Sequence, residues 1–373
     1  MTPEVTLVNT APGGSVGSMA RYGRIVARAL SQAQPGLRVA MVNVGSPWAR
    51  LPGIPPMLAT WIHHGWLVSV GIRRVTRCRA GLVHMLDGSY AYVARGVEGE
   101  RLVVTCHDLI PALQMAGRLP GHPGPAARRI VRASLEVVRG ARGVLAVSRR
   151  TRDDLISIGG VDGDRIRVAT LALDPVFSAG SGEPGISRRP YILHVGGDSP
   201  YKNLEGVLAV FQRVRQSVDV TLVLAGGAPG RAVSRRLRES ALRGHVEVRY
   251  HPPDGELRAL YRGAALLLFP SLYEGFGWPV LEAMACGCPV VCSSVASLPE
   301  VAGDAALMAG PGDTERLAGH CVSILRHPDI AGACRAGGLA RAGEFTEERM
   351  VGQILAAYGV AGRVAERGAA CVF

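Results

Sequence analysis

The residues that most directly indicate chemistry are two glutamates eight positions apart, Glu274 and Glu282. Between them lies the glycine-rich run Gly275-Phe276-Gly277, and a predicted helix follows. A helix N-terminus offers free N–H groups and the positive end of its dipole to a phosphate. Ionised carboxylates repel phosphate but accept hydrogen bonds from hydroxyl groups. The pattern therefore predicts a ligand with phosphates and vicinal diols, such as a nucleotide sugar; the alternative is that both glutamates are solvated.

Lys202 is a further candidate, because it is the only lysine in a chain that otherwise uses arginine for its strong bases. It follows the predicted strand Tyr191–Val195 and the loop that contains Gly197, and a predicted helix begins just after it. A compact ammonium group at such a turn suits a diphosphate. We therefore expect Lys202 to contact the phosphates of the ligand, and a solvated lysine is the alternative.

His107 and Gly14 also follow predicted strands. His107 comes just after the strand 101–105, and the carboxyl ends of parallel strands are where doubly wound sheets bind ligands. Its alternative role is that of a hydrogen-bonded core histidine. Gly14 lies in a small-residue loop between the strand 5–9 and the helix 19–30, a layout that brings backbone amides close to phosphate. A simple tight turn is the alternative there.

Strand and helix patterns alternate along the chain, which predicts an α/β fold with parallel sheets. Around the two glutamates the order is strand 265–269, Pro279 at the helix start, Gly287 past its end and strand 289–292. A length of 373 residues predicts two domains, and residues 174–189 have the composition of a linker. The longer predicted helices span residues 19–30, 126–139, 203–216, 230–243, 254–263, 313–326 and 346–358.

The charge is concentrated in one half of the chain. Residues 1–180 contain 22 arginines and 11 acidic residues, a balance of +11, so residues 181–373 supply only +1 of the total of +12. A basic half predicts an acidic partner, namely an anionic membrane surface or a lipid-phosphate acceptor. Nucleic acid is disfavoured because no nucleic-acid motif is present and aromatic residues make up only 5%. A basic surface without a partner is the alternative.

The segment 58–74 contains Trp61 and Trp66 before a basic stretch. This composition fits an interfacial helix on a membrane surface, but a core helix with a solvated end is the favoured interpretation. No run of eighteen apolar residues occurs, and the first ten residues lack the basic region of a signal peptide. We therefore expect a cytoplasmic protein, for which peripheral attachment to the inner face of the membrane is left open.

The eight cysteines form no paired CxxC spacing, so we interpret them as reduced thiols. Cys286, Cys288 and Cys292 lie close together in sequence, and a metal site is one interpretation of this cluster. They fall on a helix end and an apolar strand, where buried small hydrophobic residues are expected. We predict no metal ion and no cofactor beyond the donor substrate.

The string from Pro270 to Gly287 resembles the signature of the retaining glycosyltransferases of family 4, and Glu274 and Glu282 match its paired glutamates. The resemblance implies the GT-B fold, in which two Rossmann-like doubly wound parallel-sheet domains face each other across a cleft. It also implies that Glu274 contacts the hydroxyls of the donor sugar, that Glu282 contacts the ribose and that Lys202 binds phosphate. His107 would lie near the reacting face of the sugar.

One position departs from the family pattern. The family usually carries an arginine a few residues before its phosphate-binding lysine, and here that place falls at or near Gly197. The resemblance further implies an acceptor-binding domain at residues 1–180, a nucleotide-sugar-binding domain at 181–345 and a helix at 346–373 that crosses back to the first domain. Gly275, Phe276 and Gly277 would border the nucleotide.

The function implied by this family is a retaining, metal-independent transfer of a hexose, with mannose as the favoured sugar. The donor would be a nucleotide-diphosphate sugar, and the acceptor a glycan or a lipid-linked molecule in cell-surface polysaccharide or glycolipid synthesis. Two alternatives remain. One is a nucleotide-sugar epimerase or phosphorylase of the same fold, and the other is a non-catalytic sugar-nucleotide-binding protein.

Overall fold

The computed structural model contains two six-stranded sheets in which every strand pairing is parallel. The structure describes residues 4–10, 18–45, 62, 65–77, 81–179, 189–239 and 242–359. The strands are β1 (Glu4–Asn9), β2 (Arg38–Asn43), β3 (Leu82–Met85), β4 (Leu102–Cys106), β5 (Gly143–Ala146), β6 (Ile166–Val168), β7 (Tyr191–Val195), β8 (Thr221–Gly226), β9 (Val246–Tyr250), β10 (Leu266–Phe269), β11 (Val290–Ser293) and β12 (Leu307–Ala309).

Helices connect and flank these strands, as parallel pairing requires. A π-helical turn, Leu67–Gly71, directly precedes the helix Ile72–Thr76. The α-helices are α1 (Ser18–Ala33), α2 (Ile72–Thr76), α3 (Ile110–Met115), α4 (Pro125–Gly140), α5 (Arg149–Ser157), α6 (Leu204–Arg215), α7 (Arg231–Arg236), α8 (Asp254–Gly263), α9 (Trp278–Ala285), α10 (Leu298–Ala302), α11 (Thr314–Arg326), α12 (Pro328–Ala342) and α13 (Glu347–Tyr358).

The strand order places the sequence-predicted residues at a switch point. The second sheet has the order β12-β11-β10-β7-β8-β9, so its connections reverse direction between β7 and β10. Ligands of doubly wound sheets bind in the crevice beyond the strands at such a point. Lys202 follows β7 and Glu274 follows β10, so the two residues flank this crevice.

The turn between β10 and α9 is set by local sequence. Gly277 precedes the helix with a φ of 109°, and Gly287 follows it with a φ of 73°. Both angles lie in the left-handed region that glycine adopts without strain. Pro279 lies in the first turn, where its missing N–H costs nothing. The helix predicted here is therefore confirmed within one residue at each end.

Other parts of the chain differ from the prediction. The helix expected at 230–243 is only Arg231–Arg236, and α12 was not predicted at all. Phe177, in the expected linker 174–189, is completely buried and packs edge-on against Tyr261, with ring centroids 5.9 Å apart. The start of that segment therefore belongs to the core. Of the segment 58–74, the structure describes only residue 62 and the residues from 65 onward.

The last helix joins the two halves of the chain. Buried residues of α13, including Met350 and Ile354, belong to a core cluster that also contains Leu145 of the first sheet and Phe269 of the second. Arg28 on α1 pairs with the Glu347 carboxylate at the start of this helix. The chain thus returns from the second sheet and packs against the first.

None of the helices in the described ranges combines the length and the apolar character that a membrane span requires.

Candidate active site between the two sheets

A cleft with a cavity volume of about 390 Å³ lies between the two halves. The first half contributes the N-terminal turn of α1 and the loop after β4, and the second half contributes the loops after β7 and β10 together with α9. Both glutamates of the sequence motif line this cleft. The residues on which the site depends are Arg21, His107, Asp108, Lys202, Glu274 and Glu282.

Glu274 and Lys202 form a close pair. The Lys202 Nζ donates to both carboxylate oxygens of Glu274, at 2.8 and 3.1 Å. The side chains are 16% and 9% exposed, so the pair is largely shielded but still borders the cleft. An ammonium group carries three donors, so Lys202 keeps one donor direction beyond its two bonds to Glu274.

Glu282 is held by one group from each half of the molecule. Arg21 Nη1 donates to its Oε1, and the Tyr261 hydroxyl donates to its Oε2 at 2.9 Å. The residue is only 5% exposed, although it lines the cleft. Burial raises the pKa of the Glu282 carboxyl, and Arg21 and Tyr261 oppose that shift. These partners therefore favour the charged form that can accept hydroxyl groups.

Arg21 lines the cleft, but it was not among the site residues predicted from the sequence. Its Nη2 donates to Asp254 Oδ1 at 2.5 Å, and its Nε lies 3.6 Å from Asp174 Oδ2. The guanidinium carbon is 4.8 Å from the Phe177 ring centroid and 5.3 Å from that of Trp278. Burial alone would lower the Arg21 pKa, but the surrounding carboxylates outweigh it and raise the pKa.

One signal for Arg21 was present in the sequence. Its position is four residues before Ile25, which is buried, so the arginine falls on the apolar face of α1. An arginine on such a face is rarely buried without a partner. Its partners are 233 and 261 positions away, which no local pattern can reveal.

His107 lines the cleft at the end of β4. Its Nε2 donates to the backbone oxygen of Leu86 at 2.9 Å, and the Tyr22 ring packs edge-on against it with centroids 4.8 Å apart. Burial lowers the His107 pKa, so the ring is neutral near pH 7. With Nε2 as the donor, Nδ1 is left as an acceptor for a hydroxyl group.

Asp108 lines the cleft next to His107. Its Oδ1 accepts a hydrogen bond from the backbone N–H of Ile110 at 2.9 Å, which fixes the loop. Burial raises the Asp108 pKa from 3.8 to about 6, despite this hydrogen bond and the nearby ammonium of Lys202. The group therefore changes charge close to physiological pH.

A buried hydrogen-bonded chain connects the last helix to the neighbourhood of His107. The Tyr358 hydroxyl lies 2.7 Å from His84 Nδ1, and His84 Nε2 lies 2.7 Å from Thr105 Oγ1. Thr105 Oγ1 is also 3.1 Å from the Tyr22 hydroxyl, and the Tyr22 ring contacts His107. Burial lowers the His84 pKa to about 3, so this ring is neutral.

The glycine loop Gly275-Phe276-Gly277 packs closely against residues of the first half of the chain. A Cβ at Gly275 would lie 1.8 Å from the backbone oxygen of His107, so only glycine fits. The Gly275 oxygen accepts hydrogen bonds from Ser148 Oγ at 2.6 Å and Thr151 Oγ1 at 3.1 Å. Phe276 packs edge-on against Phe345 with centroids 5.8 Å apart. Ser148 thus holds the loop.

The remaining predicted site residues have different outcomes. Gly14 lies outside the described residues. Gly197 is not part of the cleft lining; its Cα would be 3.8 Å from a Cβ placed at Gly227. Gly277 lines the cleft beside Gly275. Cys286, Cys288 and Cys292 are buried, as expected, and within the described ranges no cluster of three or more His, Cys, Asp or Glu residues is arranged to hold a metal ion.

Comparison with known proteins identifies the family. The model for Glycosyltransferase Family 4 matches residues 20–176, and the model for Glycosyl transferases group 1 matches residues 189–327. O-antigen chain mannosyltransferase B of Escherichia coli is 32% identical over 271 residues, which are 69% of this chain and 70% of that protein. The chain belongs to the family 4 glycosyltransferases. The resemblance recognised in the glutamate motif is confirmed, and the protein is a glycosyltransferase.

Other relatives and solved structures agree with this assignment. The MMP alpha-(1->4)-mannosyltransferase of Mycolicibacterium hassiacum is 30% identical over 63% of this chain and 58% of its own length. Sucrose-phosphate synthase from Thermosynechococcus elongatus superposes with a TM-score of 0.76 at 20% identity, over 96% of this chain and 98% of that one. Anabaena HepE in complex with UDP-glucose gives a TM-score of 0.69 at 16% identity, over 95% and 99%. These similarities confirm the GT-B fold.

Proposed function

We propose that this family 4 glycosyltransferase moves a hexose, with mannose as the favoured sugar, from a nucleotide-diphosphate sugar to a glycan or lipid-linked acceptor. The proposed transfer retains the anomeric configuration and needs no metal ion. The observation that carries the proposal is the placement of Glu274, Lys202 and Glu282 around one cleft at the switch point of the second sheet.

Each end of the donor has a matching group. The Glu274 carboxylate accepts hydroxyls of the sugar, and Glu282 accepts those of the ribose. Lys202 Nζ and the N-terminal ends of α9 and α1, which line the cleft at Trp278 and Ser18, face the diphosphate between them. The end of α1 supplies positive potential that the family's usual arginine near Gly197 would otherwise provide.

The proposed step is an exchange of oxygen at the anomeric carbon. The bond from C1 to the diphosphate oxygen breaks, and the leaving group takes the electron pair. The acceptor hydroxyl adds to C1 from the same face, and its proton passes to the departing phosphate oxygen. Lys202 and the helix ends stabilise the developing negative charge, while His107 orients the sugar through a hydroxyl contact.

The acceptor side belongs to the first half of the molecule in this proposal. The balance of +11 in residues 1–180 favours an acceptor that carries phosphate or lies on an anionic membrane surface. The relatives named for mannose transfer support the choice of sugar, and the O-antigen enzyme supports a role in cell-surface polysaccharide synthesis. Action at the cytoplasmic face of a membrane is part of the proposal.

The first experiment identifies the donor and tests Glu274. Thermal unfolding is measured with UDP-, GDP-, ADP- and dTDP-sugars, because a ligand that binds the folded state raises Tm. Transfer from the stabilising donor is then assayed for the wild type, Glu274→Gln and Glu315→Gln, with and without EDTA. We expect Glu274→Gln to lower kcat by about 100-fold or more, since a charged sugar contact is lost in the transition state. Glu315 lies in the first turn of α11 and serves as the control.

The outcomes separate the competing functions. Full activity of Glu274→Gln would refute the assigned role, and loss of activity on EDTA would refute metal independence. Turnover of the donor without any acceptor would indicate an epimerase or phosphorylase. A product with inverted anomeric configuration in its NMR spectrum would refute retention.

A further inference from the structure

Arg21 belongs to the first half of the molecule but is held by the second. It lies on α1 and is 6% exposed, and its contacts with Glu282 and Asp254 cross the cleft to α9 and α8. The rings of Phe177 and Trp278 flank the guanidinium group and exclude water from it. Its plane and position are therefore fixed from several sides.

The charges around Arg21 do not balance. One guanidinium is in direct contact with three carboxylates, Glu282, Asp254 and Asp174, so the acceptor groups around it outnumber the cation. A buried ion pair contributes little net stability even when its charges match, because both ions lose their hydration. The excess of acceptor oxygens beside a cleft indicates a surface prepared for hydrogen-bond donors from a ligand.

The hydrogen bonds of Glu282 specify which donors fit. Each carboxylate oxygen accepts along two lone-pair directions. Arg21 Nη1 uses one direction of Oε1, and the Tyr261 hydroxyl uses one direction of Oε2, at 2.9 Å. One direction therefore remains on each oxygen, and two adjacent acceptors match the two adjacent hydroxyls of a ribose.

We propose that Arg21 is a positioning residue for nucleotide recognition, which holds Glu282 so that each of its oxygens accepts one ribose hydroxyl. This inference rests on the proposed function, because it needs a nucleotide in the cleft. Since Arg21 is carried by α1, ribose recognition requires the first half to be closed over the second. The N-terminal half thus takes part in selecting the donor and not only in binding the acceptor.

The experiment measures discrimination between ribose and deoxyribose. Affinities of UDP, GDP and ADP and of their 2′-deoxy counterparts are determined by calorimetry, and the tightest pair is used for all variants. We expect Arg21→Met to bind the ribonucleotide about 10-fold more weakly than the wild type does, because about one hydrogen bond to a charged group is lost. Its affinity for the 2′-deoxynucleotide should fall much less. The ratio between the two probes therefore falls towards one. Arg24→Met, an exposed arginine on the same helix, should keep the ratio of the wild type.

Each result decides the inference. Equal losses for both probes would overturn it, since a general weakening of the cleft affects both alike. A loss that scales with the number of phosphates, compared between diphosphate and monophosphate, would instead make Arg21 a phosphate ligand and overturn it. If no nucleotide binds the wild type, the proposed function itself fails. If nucleotides bind the wild type without preference for ribose, only this inference fails.

A second variant covers the case in which Arg21→Met does not fold. Tyr261→Phe removes the hydrogen bond to Oε2 and leaves the ring in place, so we expect the same selective loss for the ribonucleotide. Arg21→Lys keeps the charge but not the forked donors, and it should recover part of the ratio. An unchanged ratio in Tyr261→Phe would overturn the role assigned to the Glu282 hydrogen bonds.

Discussion

The site residues of this protein satisfy one another before any ligand arrives. Lys202 is paired with Glu274, and Arg21 is paired with Glu282. A donor must therefore compete with an existing partner at each carboxylate, or use the directions that the partner leaves open. Lys202 contacts both oxygens of Glu274 at 2.8 and 3.1 Å, so in the proposed function phosphate binding at Lys202 is coupled to release of Glu274. Sugar and diphosphate are expected to bind as one unit.

Asp108 gives a pH-dependent prediction at this scale. Burial raises its pKa from 3.8 to about 6, so folding favours its protonated form. The free energy of unfolding of the wild type therefore falls as pH rises from about 4 to about 6. Above pH 6 the loss due to the charged Asp108 carboxylate stays constant. The Asp108→Asn variant carries no buried charge at this position, and its amide oxygen can still accept the Ile110 N–H. We expect this variant to be more stable than the wild type by about 2 kcal/mol at pH 7, a value reduced for solvent in the cleft.

The measurement is Tm against pH for the wild type and Asp108→Asn, with Asp153→Asn, an exposed aspartate, as the control. The gain in Tm of Asp108→Asn should appear between pH 4 and 6 and then remain level. A variant that is less stable than the wild type at every pH would contradict the argument.

Individual site residues were predictable where neighbours in sequence provide the context. Glu274, Glu282 and Lys202 lie at strand ends or helix starts that local patterns reveal. The partner groups come from two other helices, Arg21 from α1 and both Asp254 and Tyr261 from α8. Their roles depend on packing between distant segments, which a single sequence does not display.

At the scale of elements, the loop between β10 and α9 acts as a spacer between the halves. Gly275 has no side chain, so the backbone of His107 can approach it closely. The loop's oxygen is then gripped by Ser148 and Thr151 at the start of α5. Closure of the cleft therefore depends on the absence of one methyl group.

Gly275→Ala tests this spacer directly. The new Cβ would lie 1.8 Å from the His107 oxygen and 2.9 Å from Asp108 Cβ, so the halves must separate. We expect kcat/KM to fall by about 100-fold through displaced site groups, with little change in the circular dichroism spectrum. Small-angle scattering should show a larger radius of gyration. Gly36→Ala, where a Cβ meets nothing within 4 Å, is the control, and wild-type activity of Gly275→Ala would refute the spacer.

Tertiary packing explains why sequence patterns missed α12 and overestimated the length of α7. The helix α12 contains Gly337 and Gly338, which normally weaken helices. Here they allow close packing, because a Cβ on Gly338 would lie 3.2 Å from Met284 Cγ and one on Gly337 lies 3.4 Å from Ala305 Cβ. The shorter helix α7 shows the converse, since only Val233 among its six residues is buried. Tertiary packing thus stabilises α12 despite its glycines, whereas α7 has too few buried residues to be longer.

For the molecule as a whole, two kinds of contact join the halves. The packing of α13 combines buried apolar side chains with polar contacts such as Arg28–Glu347 and His84–Tyr358. At the cleft the contacts are polar: the Glu300 carboxylate accepts the backbone N–H groups of Arg149 and Arg150 at 2.7 and 2.8 Å, and the Tyr273 hydroxyl donates to Asp154 at 2.6 Å. Hydrogen bonds of this kind can break without exposing a large apolar area. We expect the cleft to open there for product release.

The uniqueness of Lys202 has a practical consequence for the whole chain. Because every other strong base in the 373 residues is arginine, an acylating reagent finds one lysine side chain to modify, and it lies in the cleft. Acetylation removes its charge, so we expect inactivation to follow the incorporation of a single acetyl group at this position in the peptide mass spectrum. A saturating donor should slow the labelling. Activity that survives complete acetylation of Lys202 would show that the amine is dispensable for turnover.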